Sequence, residues 1–119
     1  METMKALVMK DVGKVVMEDR PMPHVVDPDD VVLKIKAVGI CGSDIKIVEG
    51  KHHYKPDTVL GHEFFGEEVE VGTHVHHVKL GDRVAEDNNS RCGFCDFCRM
   101  GLTRQCVDIQ TRAFGVMRD

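Results

Sequence analysis

The stretch Val31-Val32-Leu33-Lys34-Ile35-Lys36-Ala37-Val38 alternates with a period of two and runs directly into Gly39-Ile40-Cys41-Gly42-Ser43-Asp44. Val31, Leu33, Ile35 and Ala37 share one face while Lys34 and Lys36 fall on the other, as a half-buried antiparallel strand requires. The apolar face is expected to build the core. Upstream, residues 4–9 and 14–18 flank a turn at Asp11-Val12-Gly13 and read as a hairpin. Pro21, Pro23 and Pro28, with Asp27, Asp29 and Asp30, then break any ladder before Val31. Downstream, Glu68 and Glu70 alternate with Val69 and Val71, and Gly81-Asp82-Arg83-Val84-Ala85 reads as a turn entering a further strand. Many short strands divided by glycine turns suggest a barrel. The clearest helical stretches, residues 43–49 and 96–101, are too short to stand without packing around them.

Cys92, Cys95, Cys98 and Cys106 are spaced C-x2-C-x2-C-x7-C, and four thiolates so placed can close around one tetrahedral ion. Zinc is the natural occupant. A disulfide framework is the first rival, but nothing in the opening Met1-Glu2-Thr3-Met4-Lys5 resembles a secretory signal, and a cytosolic chain keeps its thiols reduced. A redox C-x-x-C is the second, and it wants a βαβ context that this strand-rich sequence lacks. The fifth cysteine, Cys41, precedes His62-Glu63 in a glycine-punctuated setting that suggests a second, different metal site. Taken singly, Cys41 is an inert buried thiol and His62 an ordinary satisfied histidine; the surrounding glycine pattern favours the functional reading.

The 119 residues, 42% hydrophobic, make one domain with a real core and a high surface fraction. Sixteen basic against twenty acidic residues give a formal charge of −4, and the basic ones are scattered, which argues against a phosphate-tracking surface for nucleic acid. No apolar run approaches the ~20 residues a bilayer span needs. The expectation is a soluble, cytoplasmic domain. His74, His76 and His77 read as neighbouring strand positions on a solvated edge rather than a metal site, and the seven methionines as core filling. Tyr54, after His52-His53, is a candidate to line a substrate cleft.

Gly39-Ile40-Cys41-Gly42-Ser43-Asp44, then Gly61-His62-Glu63-Phe64-Phe65-Gly66 with Gly72 and Val75, then Gly81-Asp82-Arg83-Val84, then the four-cysteine lobe, resemble in order the catalytic domain of zinc-dependent medium-chain alcohol dehydrogenases. The branch they look most like is the polyol, sorbitol and threonine dehydrogenases. The resemblance covers the whole chain and implies a mainly β, GroES-like, partly open barrel with short helices. A structural-zinc lobe at about 88–108 would protrude from it. It implies a catalytic zinc held by Cys41 and His62, with Glu63 standing behind the metal or ligating it transiently. Ser43 would accept a hydrogen bond from the substrate hydroxyl and relay its proton, and Asp44 would orient His62. Serine and aspartate there are also what a helix start favours.

The resemblance further implies an NAD or NADP cofactor and an alcohol or polyol substrate, and it allows a homo-oligomer. The sequence contains no G-x-G-x-x-G following a strand, so no Rossmann half is expected within residues 1–119. The third protein ligand to the catalytic zinc and the last barrel strands are expected beyond Asp119, which makes 1–119 an incomplete domain, inactive alone. Two other classes stay open: a truncated, non-enzymatic zinc-binding interaction module, and a chaperonin-type cofactor suggested by fold analogy alone. Cofactor binding would separate the first from an enzyme, and heptamer formation is the minimum requirement of the second.

Overall fold

A computed structural model describes residues 1–88 and 90–109. Strand β1 (Thr3–Asp11) turns into β2 (Lys14–Pro21), and β3 (Val31–Val38) leads into helix α1 (Gly42–Val48). Then follow β4 (Thr58–Val59), β5 (Phe64–Val71), β6 (Arg83–Ala85), helix α2 (Asp96–Arg99) and a 3-10 turn at Thr103–Gln105. The strands make two open, antiparallel three-stranded sheets, β2-β1-β4 and β3-β5-β6. The chain is therefore mainly β with short helices, as the alternation and glycine turns predict, and the described strands do not close into a ring.

The core is centred on β1. Val8 and Met9 are both wholly buried, and adjacent strand residues point to opposite faces, so β1 is covered on both sides at that point. Ala6, Ile47 of α1 and Thr58 of β4 complete this buried cluster. Helix α1 is held against the hairpin turn, where the Gly13 N–H donates to the Val48 carbonyl at 2.7 Å. It ends in a Schellman pattern, with Gly50 N–H on the Ile47 carbonyl and Lys51 N–H on the Lys46 carbonyl. Gly50 is required twice there: its φ is +72°, and a Cβ would lie 2.8 Å from Val12 Cγ2.

Two expectations from alternation fail. The face of β3 carrying Val31, Leu33, Ile35 and Ala37 does not build the core: Ile35 is 47% exposed, and Val31 and Ala37 are exposed as well. Register shifts between Val32 and Leu33 and between Ile35 and Ala37 break the period of two along the strand. In β5 the sense of the alternation is inverted, with Glu68 buried and Val69 exposed. Residues 72–79, including the three histidines expected on strand positions, form turns and bends, because β5 ends at Val71 and the next pairing begins only at Arg83.

Candidate metal centre

The antiparallel register of β3 with β5 is what brings the two sequence motifs together. Val38 pairs with Phe64, and one residue on, the Gly39 N–H donates to the Glu63 carbonyl at 2.7 Å. The end of β3 therefore delivers Cys41 beside His62 and Glu63 at the start of β5. β4 holds the other side of that segment through Leu60 N–H to the Leu7 carbonyl. Ligand atoms of Cys41, His62 and Glu63 lie within 4.8 Å of one another. A soft sulfur, an imidazole nitrogen and a carboxylate oxygen form a donor set suited to zinc.

Helix α1 supplies the surroundings of His62. Ser43 Oγ lies 3.2 Å from His62 Nε2, and Asp44 Oδ1 lies 3.3 Å from His62 Nδ1 without being aligned for a hydrogen bond. The other oxygen of Asp44 accepts from the Cys41 backbone N–H at 2.9 Å. The carboxylate thus caps the helix start with one oxygen and borders the imidazole with the other. The two ring nitrogens face different neighbours of α1, Nδ1 towards Asp44 and Nε2 towards Ser43. His62 is buried, at 6% exposure, so its ring is held by packing as well as by these contacts.

The second cluster is self-contained. The Sγ atoms of Cys92, Cys95, Cys98 and Cys106 all lie within 4.8 Å of one another, and all five cysteines are free thiols. Cys92 and Cys98 sulfurs are 3.9 Å apart. Sulfurs each 2.3 Å from the centre of one tetrahedron would be about 3.8 Å apart, so the spacing fits a zinc ion. Backbone N–H groups point at the sulfurs: Cys95 at Cys92 (3.3 Å), Cys98 at Cys95 (3.5 Å), and Cys92 at Cys106 (3.4 Å). The N–H of Cys98 holds the Cys95 thiol down at about 6, and the N–H of Cys92 lowers Cys106. Burial pushes Cys98 up to about 11. Cys95 is thereby poised as a thiolate, and a metal must displace the proton of Cys98.

A cavity of about 500 Å³ opens beside the first cluster, lined among others by Gly39, His62, Glu63, Glu86 and Arg104. Sequence reading missed Glu86. Its Oε2 is buried with no hydrogen-bond partner, and burial raises its carboxyl above the ordinary value, with Asp87 and Glu63 adding to the rise and His62 opposing it. The only available signal was a carboxylate one residue past a short strand, which is also what a solvated turn looks like. The remaining candidates are not gathered here: His52, His53 and Tyr54 line a separate surface hollow, and His74 lies beside Asp29 at 3.6 Å.

The family model of the alcohol dehydrogenase GroES-like domain matches residues 27–119, and the chain belongs to that family. It is 38% identical over 113 residues to the sorbitol dehydrogenase of Bacillus subtilis, covering 92% of this chain and 32% of that protein. A Sinorhizobium meliloti protein described as a zinc-binding dehydrogenase and solved with NADP superposes with a TM-score of 0.88 at 36% identity, covering 100% of this chain and 34% of the other. The cobalt- and zinc-bound thermostable alcohol dehydrogenase of Pyrobaculum aerophilum superposes at 0.87 with 26% identity, covering 99% and 36%. The chain spans about a third of the length of these relatives. Its family is one of zinc-dependent oxidoreductases acting on alcohols and polyols.

Proposed function

We propose that residues 1–119 are the zinc-bearing catalytic domain of an NAD(P)-dependent alcohol or polyol dehydrogenase. Cys41, His62 and Glu63 are its catalytic-zinc residues, and Cys92, Cys95, Cys98 and Cys106 its structural-zinc residues, in a lobe at about 88–108. The observation that carries the reading is the convergence of Cys41, His62 and Glu63 within 4.8 Å, beside Ser43 and Asp44. When bound, zinc supplies the Lewis acidity that acidifies a substrate hydroxyl, and nicotinamide accepts the hydride. Cys41 and His62 hold the site, and Asp44 keeps the imidazole in one orientation. Ser43 Oγ, at the rim of the donor set, accepts the hydrogen bond of the substrate hydroxyl and passes its proton outward. A secondary alcohol or polyol is the substrate class, and the relatives support that choice.

Metal analysis tests the assignment. Wild-type chain should carry a zinc that survives mild chelation and a second that is stripped, because the lobe offers four sulfurs and the other site a smaller mixed set. Cys95→Ser should lose the resistant ion and raise amide exchange in the lobe while sparing the labile one. Cys41→Ser and His62→Ala should do the reverse. Retention of the labile zinc by both of these variants would remove the catalytic-site assignment.

A further inference from the structure

Gly39 sits where the two motifs touch, and nothing in the proposed chemistry uses it. A Cβ built there would lie 2.9 Å from Glu63 Oε2, 3.4 Å from Glu63 Cβ and 3.5 Å from the Glu63 carbonyl oxygen. The backbone at Gly39 is outside the left-handed region, so the conformation itself does not call for glycine. What calls for it is the neighbouring side chain. The Gly39 N–H to Glu63 carbonyl bond fixes the two backbones at 2.7 Å, so the strand ends cannot separate to admit a methyl group. The tightest contact is with the tip of a flexible side chain, which can rotate. A methyl group should therefore move the carboxylate rather than disrupt the sheet.

We propose that Gly39 is a positioning residue for the Cys41–His62–Glu63 cluster: its missing Cβ leaves the space in which the Glu63 carboxylate lies within reach of the other two ligands. The proposal rests on the metal reading of that cluster. Glu86, just past β6, bounds the same space, lining the cavity with Gly39 and Glu63. A carboxylate displaced from Gly39 would be pushed toward a second carboxylate, which is an unfavourable refuge. Displacement should thus weaken the site rather than find an equivalent arrangement.

The test uses the full chain with zinc in the lobe, titrated with Co2+ and read by absorption and by competition with a chelator. Gly39→Ala should weaken Co2+ binding about 10-fold or more, the range of effects seen when the supports of ligands are removed. Its spectrum should change, with a melting temperature close to wild type. Glu63→Asp, one methylene shorter, should recover part of the loss in the Gly39→Ala background. In a Glu63→Ala background, Gly39→Ala should change nothing further. Unchanged affinity and spectrum in Gly39→Ala would overturn the proposal, and so would a loss of affinity or of stability equally large with and without the Glu63 carboxylate. Cys41→Ser keeps the two failures apart. If it abolishes Co2+ binding while Gly39→Ala is silent, only the role of Gly39 falls; if wild type shows no Cys41-dependent Co2+ binding, the metal reading falls and this inference with it.

Discussion

Glu68 is the residue that this fold tolerates least comfortably. It is 3% exposed, its Oε2 has no partner, and its carboxyl is raised above the ordinary value of 4.5, first by burial and then by Asp82, with His77 opposing. A carboxyl raised by folding holds a proton in the folded chain over a range where the unfolded chain has released it. Its contribution is therefore most favourable below 4.5 and becomes a growing penalty as pH rises through the folded value. Glu68→Leu should stabilise the chain at neutral pH by about 1–3 kcal/mol, the cost of a buried unsatisfied polar group. It should also flatten the fall in stability above that pH, as read from urea unfolding across pH 4–8. A less stable Glu68→Leu protein would mean that the carboxylate has a partner after all. Alternation placed valine inside and glutamate outside here, and no feature of Glu67-Glu68-Val69-Glu70 distinguishes the two phases. The choice is made by register against Leu33 and by the chain returning at Asp82, whose carbonyl accepts the Glu68 N–H.

At the scale of elements, the first sheet is braced by charge. Lys10 bonds to Glu18 and Asp57, and Arg20 bonds to the same two acids, closing a ring across β1, β2 and the segment entering β4. Asp57 is the one non-glycine with positive φ (66°) among the described residues, and its N–H donates to the Met9 carbonyl at 2.8 Å. Aspartate and asparagine accept that conformation better than alanine does. Much of the ring is solvent-accessible, so its ion pairs contribute modestly and are screened by salt. Asp57→Asn should accordingly lower the melting temperature less than Asp57→Ala, with the gap between them insensitive to added salt. Equal shifts in both variants, vanishing at high salt, would show that charge and not backbone conformation governs the position. The hairpin, both short helices and the four-sulfur lobe were legible because each is fixed by local chemistry: a turn glycine, a cap, a ligand spacing. The exposure of β3 was not, since the residues that would cover a strand face lie far away in sequence.

At the scale of the whole molecule, the described residues gather one mixed donor set and one four-sulfur set. The described residues include no glycine-rich strand-to-helix turn of the kind that binds a dinucleotide. No described helix is long and apolar enough to cross a membrane. Holding two reactants in register contributes ~7–11 kcal/mol to a transfer reaction. Residues 1–119 assayed alone with zinc and a secondary alcohol or polyol should therefore reduce NAD+ or NADP+ no faster than buffer. Enzyme-like turnover abolished by Cys41→Ser would contradict this. The donor residues themselves could be read from the sequence because glycines and cysteines punctuate them. Their meeting could not be computed from spacing, since it depends on Val38 pairing with Phe64 rather than with a neighbour two places away. One oxygen of Asp44 accepts from the Cys41 N–H while the other lies 3.3 Å from His62 Nδ1, so a single side chain borders both the start of α1 and the imidazole. A substitution at Asp44 should therefore disturb the start of the helix and the surroundings of the imidazole together.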